Sequence, residues 1–271
     1  MQYFINITGF RSMMIQTQTE IIINYLSNTV SMIGISSYAF HDLPLSEALE
    51  NIEKLSKGAE IFSEGFHDLL KDSETPYSYN LEYTVHAPNT DLNIGSIREP
   101  MRKAGMELIQ GMVDICSQID ARVLVVHPGY FTYSCDIPDA RVSLKKSLLE
   151  LEKITDGTDI KICVENMPSD WNCFLFQYPD LDLGNNGFAL DVGHANTTQT
   201  LDKFLEYNIS HFHIHDNTGK SDEHLWVGAG NIDFKGMKDV LKKNSGMKVL
   251  EHRSRDYVEK SLKAIKDLDI K

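Results

Sequence analysis

Three histidines stand at alternate positions in the stretch HFHIHD, namely His211, His213 and His215, with Phe212 and Ile214 between them. Period-two alternation is a β-strand pattern, and it puts the imidazoles on one face and the two apolar side chains on the other. Imidazole is the commonest protein ligand for divalent metals and a proton carrier near neutral pH. Same-face neighbours on a strand lie roughly 6.6–6.8 Å apart, whereas metal–nitrogen bonds are about 2.0–2.1 Å long. Adjacent members of the row are therefore not expected to share one ion, and at most one should serve any given metal. Further ionisable residues close other apolar, β-branched runs: His86 ends LEYTVH, His127 ends RVLVVH and Glu165 ends DIKICVE. Asp191 and His194 fall in GFALDVGH, Asp222 and His224 lie in the stretch after HFHIHD, and Glu251 ends MKVLE.

The elements that must position these residues alternate regularly. Candidate strands cover 32–40, 58–64, 81–88, 122–129, 159–167, 187–195, 209–217 and 247–254, with amphipathic helical patterns over 45–57, 99–119, 139–154, 233–244 and 256–268. Strand then helix, repeated eight times, predicts a single (β/α)8 TIM barrel. An open doubly wound sheet would carry a glycine-rich phosphate loop after its first strand, and the chain has none there. The barrel domain is expected to span 32–271. Residues 1–31 fit neither half of the repeat and are expected to be a peripheral extension. Met13, Met14 and Met32 offer alternative starts, and a start at Met32 would place 1–31 outside the natural protein.

In such a barrel, function gathers at the C-terminal ends of the strands. There the pattern places His86, His127, Glu165, Asp191, His194, His213, Asp222, His224 and Glu251. Taken singly, each has a structural reading. A strand-end histidine is more often a hydrogen-bonded structural group than a ligand, and Glu165 could pair with a lysine. Taken together, that many imidazoles and carboxylates on one rim would repel and desolvate badly without cations, so a metal site is expected. Of the other histidines, His211 is expected to be a buried hydrogen-bonding group and His215 to contact substrate or orient a neighbour. His41 and His67 are expected to face solvent, and His252 to point toward the helices.

The totals narrow the function classes. The chain has 271 residues and a formal net charge of −13, which weighs against sequence-blind nucleic-acid binding through a basic stripe. No apolar run approaches the ~18 residues of a membrane span, and the N-terminus lacks the pattern of a secretory signal. The four cysteines show no CxxC spacing and are expected to be reduced, with the cytoplasm as the compartment.

The ordered set VHAPNTDLNIGS, VVHPG, VEN, DVGHAN, FHIHDN, HLWVGAGNID and Glu251 resembles the xylose isomerase-like barrel superfamily. That superfamily holds sugar isomerases and epimerases together with the family 2 AP endonucleases. The resemblance runs from about Met32 to the end of the chain. The isomerase and epimerase branch implies one divalent ion (Mn, Co or Mg) held by Glu165, Asp191, His213 and Glu251, with His194 close to a small sugar. Glu165 and Glu251 would then move the proton on either side of an enediolate, and His213 would be the ligand of the histidine row. The endonuclease branch implies two or three zinc ions, held by those four residues together with His86, His127, His194, Asp222 and His224, acting on abasic DNA. Against that branch, Ala87-Pro88-Asn89-Thr90 follows His86 where the nuclease has a tyrosine wedge. Val192-Gly193 stands where it has Thr-Cys, and the EIFSEGFHD stretch lacks the aromatic and basic residues of its DNA-facing loop. A metal-dependent sugar isomerase or epimerase is therefore the leading expectation, with the zinc phosphodiesterase as the alternative. A catalytically silent binding barrel is the least favoured, no membrane partner is expected, and the chain could form a homo-oligomer, as relatives often do.

Overall fold

The computed structural model of the chain describes residues 32–270. The expected peripheral segment 1–31 lies outside the described residues. Eight parallel strands close into one barrel in sequence order: β1 Ile33–Ser36, β2 Gly58–Phe62, β3 Glu82–His86, β4 Val123–Val126, β5 Lys161–Glu165, β6 Gly187–Asp191, β7 His211–Ile214 and β8 Lys248–Leu250. Closure is made by β1, which pairs in parallel with both β2 and β8. Runs such as VLVV in β4 suit this role because a parallel strand is covered on both faces. The helices around the barrel are α1 Leu45–Glu53, α2 Glu99–Gln118, α3 Ile137–Ile154, α4 Val192–Thr197, α5 Leu201–Phe204, α6 Phe234–Lys243 and α7 Arg255–Asp267. In α1 the buried residues Leu45, Ala48, Leu49 and Ile52 recur at helical spacing and form the stripe that covers the sheet. Among the described residues no helix is long and apolar enough to cross a membrane.

The eightfold strand–helix expectation fails at two crossovers. Between β2 and β3 the described chain forms only short 3-10 turns, Gly65–His67 and Thr75–Ser78, and between β5 and β6 it forms no helix. Gly65 and Pro76 interrupt the first of these connections, and Pro168, Pro179 and Gly184 interrupt the second. The helix-free β5–β6 connection is free to fold over the barrel mouth, where it brings Met167, Pro168, Trp171 and Phe174 to the cavity described next. The β2–β3 connection tucks His67 inward, contrary to its expected solvent exposure. The ring is buried, with Nδ1 3.0 Å from Ser37 Oγ and Nε2 3.0 Å from the Leu43 carbonyl.

Candidate metal centre

Each strand-end residue singled out by its position is delivered to one basin at the C-terminal mouth of the barrel. His86, Glu165 and Asp191 are the last residues of β3, β5 and β6, while His127 and Glu251 directly follow β4 and β8. His194 is not at a strand end, as the spacing predicted, but in the first turn of α4. Asp191 caps that helix by accepting the backbone N–H of His194 at 2.7 Å, so one carboxylate both faces the basin and aims the next histidine at it.

Among the described residues the ionisable side chains sort into four groups that could each hold an ion, with the donor atoms of each group within 4.8 Å of one another. One of them, Glu60, His211 and His213, unites two adjacent members of the histidine row, contrary to expectation, and the other three gather at the basin. His86, His127 and Glu165 form the first: Oε2 of Glu165 lies 3.3 Å from Nε2 of His86 and 3.1 Å from Nε2 of His127. Glu165, Asp191, His213 and Glu251 form the second, around His213 Nδ1, which lies 2.8 Å from Glu165, 3.4 Å from Glu251 and 3.9 Å from Asp191. His194, His215, Asp222 and His224 form the third, in which Oδ2 of Asp222 lies 2.8 Å from Nε2 of His224 and 3.6 Å from Nε2 of His194. Glu165 belongs to two groups and so links them.

The donor chemistry fits divalent cations. His86, His194 and His224 each donate Nδ1–H to a backbone carbonyl (of Ala87, Asn166 and Glu251) at 2.8–2.9 Å. This leaves Nε2 of each ring as the atom facing the basin, open to an ion that displaces its proton, the usual outer support of a metal-binding imidazole. Asp222 Oδ1 is buried without a hydrogen-bond partner. The second group, with three carboxylates and one imidazole, suits Mg, Mn or Co, and the two imidazole-rich groups suit Zn.

The loop after β7 that carries Asp222 and His224 is gathered chiefly on Asp216, with Asp170 and Arg253 also holding the backbone of Asp222. Asp216 is fully buried and accepts backbone N–H bonds from Asn217, Gly228, Gly230 and Ile232, while its own backbone exchanges two 2.8 Å bonds with Leu225. Asn166 clasps β5 to β6 in the same manner, bonding both the N–H and the carbonyl of Asp191.

The histidine row does not divide as strand spacing alone predicts. His211 and His213 have ring centroids 5.3 Å apart and both turn toward Glu60 of β2, which lies 2.8 Å from Nε2 of each. His215 turns the other way, placing Nε2 3.0 Å from Asp191 and stacking on His224 at 4.1 Å. A Cβ on residue 193 would meet the His215 ring at 1.9 Å, so Gly193 is required by that close approach. Glu60, Asp216 and the place of His215 in the third group escaped the sequence reading. The signal for Glu60 was a carboxylate between apolar neighbours inside GAEIF, where half-burial alone would not put one.

Burial pushes the Glu165 carboxyl upward, yet His213, His127 and His86 together hold it well below the carboxylate range. Glu60 behaves alike, with His213 and His211 outweighing its burial. Burial lowers His224, but Asp222 brings it up from 6.5 to about 9, and the same competition raises His194 and His213. A histidine whose value rises on folding contributes stability that is full below its unfolded value and is lost as pH rises through its folded value. The ion-free protein is therefore expected to lose several degrees of melting temperature between about pH 6.5 and about 9. Cations compete with those same protons, so the melting-temperature gain on adding Zn2+ or Mn2+ should grow over this interval. Scanning fluorimetry with and without chelator checks both trends, and an ion-free melting temperature that rises across the interval contradicts the assignment.

Above the groups lies a cavity of about 370 Å³, lined by Tyr38, Phe62 and Asn89 on one side and by Trp171 and Phe174 on the other. Trp171 is 65% exposed at its mouth. Arg253 is the one lysine or arginine among the described residues lining it, and its guanidinium donates to the Asp222 carbonyl at 2.8 Å.

Residues 66–268 match the family described as "Xylose isomerase-like TIM barrel". An uncharacterised protein of Methanocaldococcus jannaschii is 37% identical over 248 residues, covering 88% of this chain and 95% of the relative. A probable endonuclease 4 of Malacoplasma penetrans is 26% identical over 176 residues, covering 55% of this chain and 59% of that protein. Among solved structures, a D-tagatose 3-epimerase-like protein superposes with a TM-score of 0.76 at 30% identity, covering 88% of this chain and 96% of the other.

Proposed function

The chain belongs to the xylose isomerase-like TIM barrel family, and from that premise we propose that it is a metal-dependent isomerase or epimerase of a small sugar. The observation that carries this reading is the group Glu165, Asp191, His213 and Glu251 beneath a cavity of about 370 Å³, room for one small polar molecule. The similarity to a D-tagatose 3-epimerase-like protein makes free ketohexoses the first substrates to try.

Those four residues would hold one divalent ion, which would polarise a sugar carbonyl and stabilise the negative charge left as a neighbouring proton departs. Glu165 stays ionised at neutral pH under the pull of its imidazoles and so stands ready to accept a proton from a substrate carbon. Glu251, directly after β8 on the same basin, is the group to return one. His86 and His127 fix Oε2 of Glu165 and leave Oε1 on the side of His213. Trp171 and Phe174 offer apolar faces to the C–H side of a sugar ring and narrow the access of water.

A second reading has its own support. The groups around His86 with His127 and around Asp222 with His224 exceed what a one-ion isomerase needs, and they fit a zinc-dependent phosphodiesterase acting on abasic DNA. The net charge of −13 and the single arginine at the cavity weigh against a DNA partner. Phe66 of the β2–β3 connection is 69% exposed and does not line the cavity, whereas Phe62 at the end of β2 does. Elemental analysis of metal-replete protein, followed by assay on a ketohexose panel and on abasic duplex DNA, separates the readings. We expect about one tightly held Mn, Co or Mg per chain and sugar turnover abolished by chelator. Two or three zinc ions with incision of abasic DNA, and no sugar turnover, would replace the first reading by the second.

A further inference from the structure

Behind His213, on the side away from the cavity, lies a carboxylate that the proposed chemistry does not use. Glu60 sits in the middle of β2 and is fully buried. Its Oε2 lies 2.8 Å from Nε2 of His211 and accepts the Thr84 hydroxyl at 3.0 Å. Its Oε1 lies 2.8 Å from Nε2 of His213, off the N–H axis, and neither of these two buried atoms has a hydrogen-bond partner. A carboxylate oxygen and a ring nitrogen this close and this dry repel each other unless a proton lies between them. The opposite edge of the same ring, Nδ1, hydrogen-bonds Glu165 Oε1 at 2.8 Å, a contact that an ion bound there would replace, and also faces Glu251 and Asp191.

His213 is thereby oriented in the reverse sense to His86, His194 and His224, whose Nδ1 atoms are held by backbone carbonyls while Nε2 faces the basin. We propose that Glu60, fixed by His211 and Thr84, is a positioning residue that keeps the proton of His213 on Nε2 and so makes Nδ1 the ligand atom of the group formed with Glu165, Asp191 and Glu251. An imidazole binds a metal only through a nitrogen that carries no proton, and a carboxylate on the far nitrogen both selects that tautomer and makes the ligand more basic. His211 explains its own burial in the same way, as the group that holds Glu60 in the barrel interior. The inference rests on the four-residue group binding an ion, and it holds whether the reaction is sugar isomerisation or phosphoester hydrolysis.

The test uses the full chain loaded with Zn2+ and labelled with 15N at histidine. Long-range 1H–15N correlation spectra, with the His213 signals identified by their absence in His213→Gln, should show a protonated Nε2 and a metal-shifted Nδ1 for that ring. Competition with a chromophoric chelator should show the affinity of Glu60→Gln for Zn2+ and Co2+ reduced about 10–100-fold at unchanged ion stoichiometry. His211→Gln should give a smaller loss in the same direction, and Glu60→Asp should recover part of it. A protonated Nδ1 with Nε2 on the metal would overturn the proposal, and so would wild-type affinity in Glu60→Gln. Loss of one whole ion from Glu60→Gln, with the others bound as tightly as before, would overturn it too, making Glu60 a ligand of an ion shared with His211 and His213. Should Glu60→Gln and His211→Gln fail to fold, the wild-type spectrum, assigned through His213→Gln, decides alone. Absence of any bound ion in the wild-type chain would remove the proposal together with the metal centre, whereas absence of sugar turnover would leave it standing.

Discussion

Glu165→Gln is expected to lower kcat on the sugar substrate by about 10²–10⁴-fold, the usual range for removing a general base, and to lower the number of tightly bound ions at the same time. The double effect follows from where Glu165 stands. One carboxylate oxygen faces His86 and His127 and the other faces His213, so two of the four donor groups depend on its charge. A glutamine keeps the shape, but its N–H2 end would oppose at least one ring nitrogen that now faces an oxygen. Without the anion the buried imidazoles also lose the charge that holds them, a loss typical of breaking a buried pair by removing one partner. Steady-state kinetics beside elemental analysis checks this. A variant with wild-type ion content but little turnover would assign Glu165 to proton transfer alone, and one with both retained would exclude it from the site.

Asp216→Ala is expected to cost roughly 3–5 kcal/mol, on the reasoning that four backbone N–H groups lose their acceptor at ~1–3 kcal/mol each and the loop relaxes to recover part of it. For a chain of this length each kcal/mol moves the melting temperature by about 2–4 °C, so a drop of roughly 10 °C is expected. The loop that would relax carries Asp222 and His224, so the third donor group should be lost while Glu165, Asp191, His213 and Glu251 stay in place. Asp216→Asn, which keeps one acceptor oxygen, should fall between. Thermal melts with ion titration check the pair. An unchanged melting temperature in Asp216→Ala would mean that the loop does not hang from this carboxylate.

Much of this site could be read without coordinates because parallel strands in a barrel report their faces and ends directly. A β-branched run that stops at His86, at His127 or at Glu165 gives both the element and the rim position of its last residue. His194 was misplaced by that rule because Asp191 ends its strand and caps a helix within the same three residues. The two helix-free crossovers show the limit of counting repeats. The stretch after β2 lacks a helix, yet the barrel closes because the strand pairing does not depend on it. His67 looked solvent-facing because a short loop gives no periodicity from which burial could be judged.

The sequence by itself determined that the chain forms a closed parallel barrel and that its imidazoles and carboxylates gather at one end of it, since both depend on period and order along the chain. Which of those groups share a proton or an ion was decided only by the tertiary structure. Spacing along β7 separates His211 from His213, but closure of the barrel brings Glu60 of β2 across the interior to both rings, although β1 and β8 stand between the two strands in the sheet. Distance along a strand is fixed by backbone geometry, whereas distance across a barrel is fixed by how the whole sheet curls, and no local pattern carries that information.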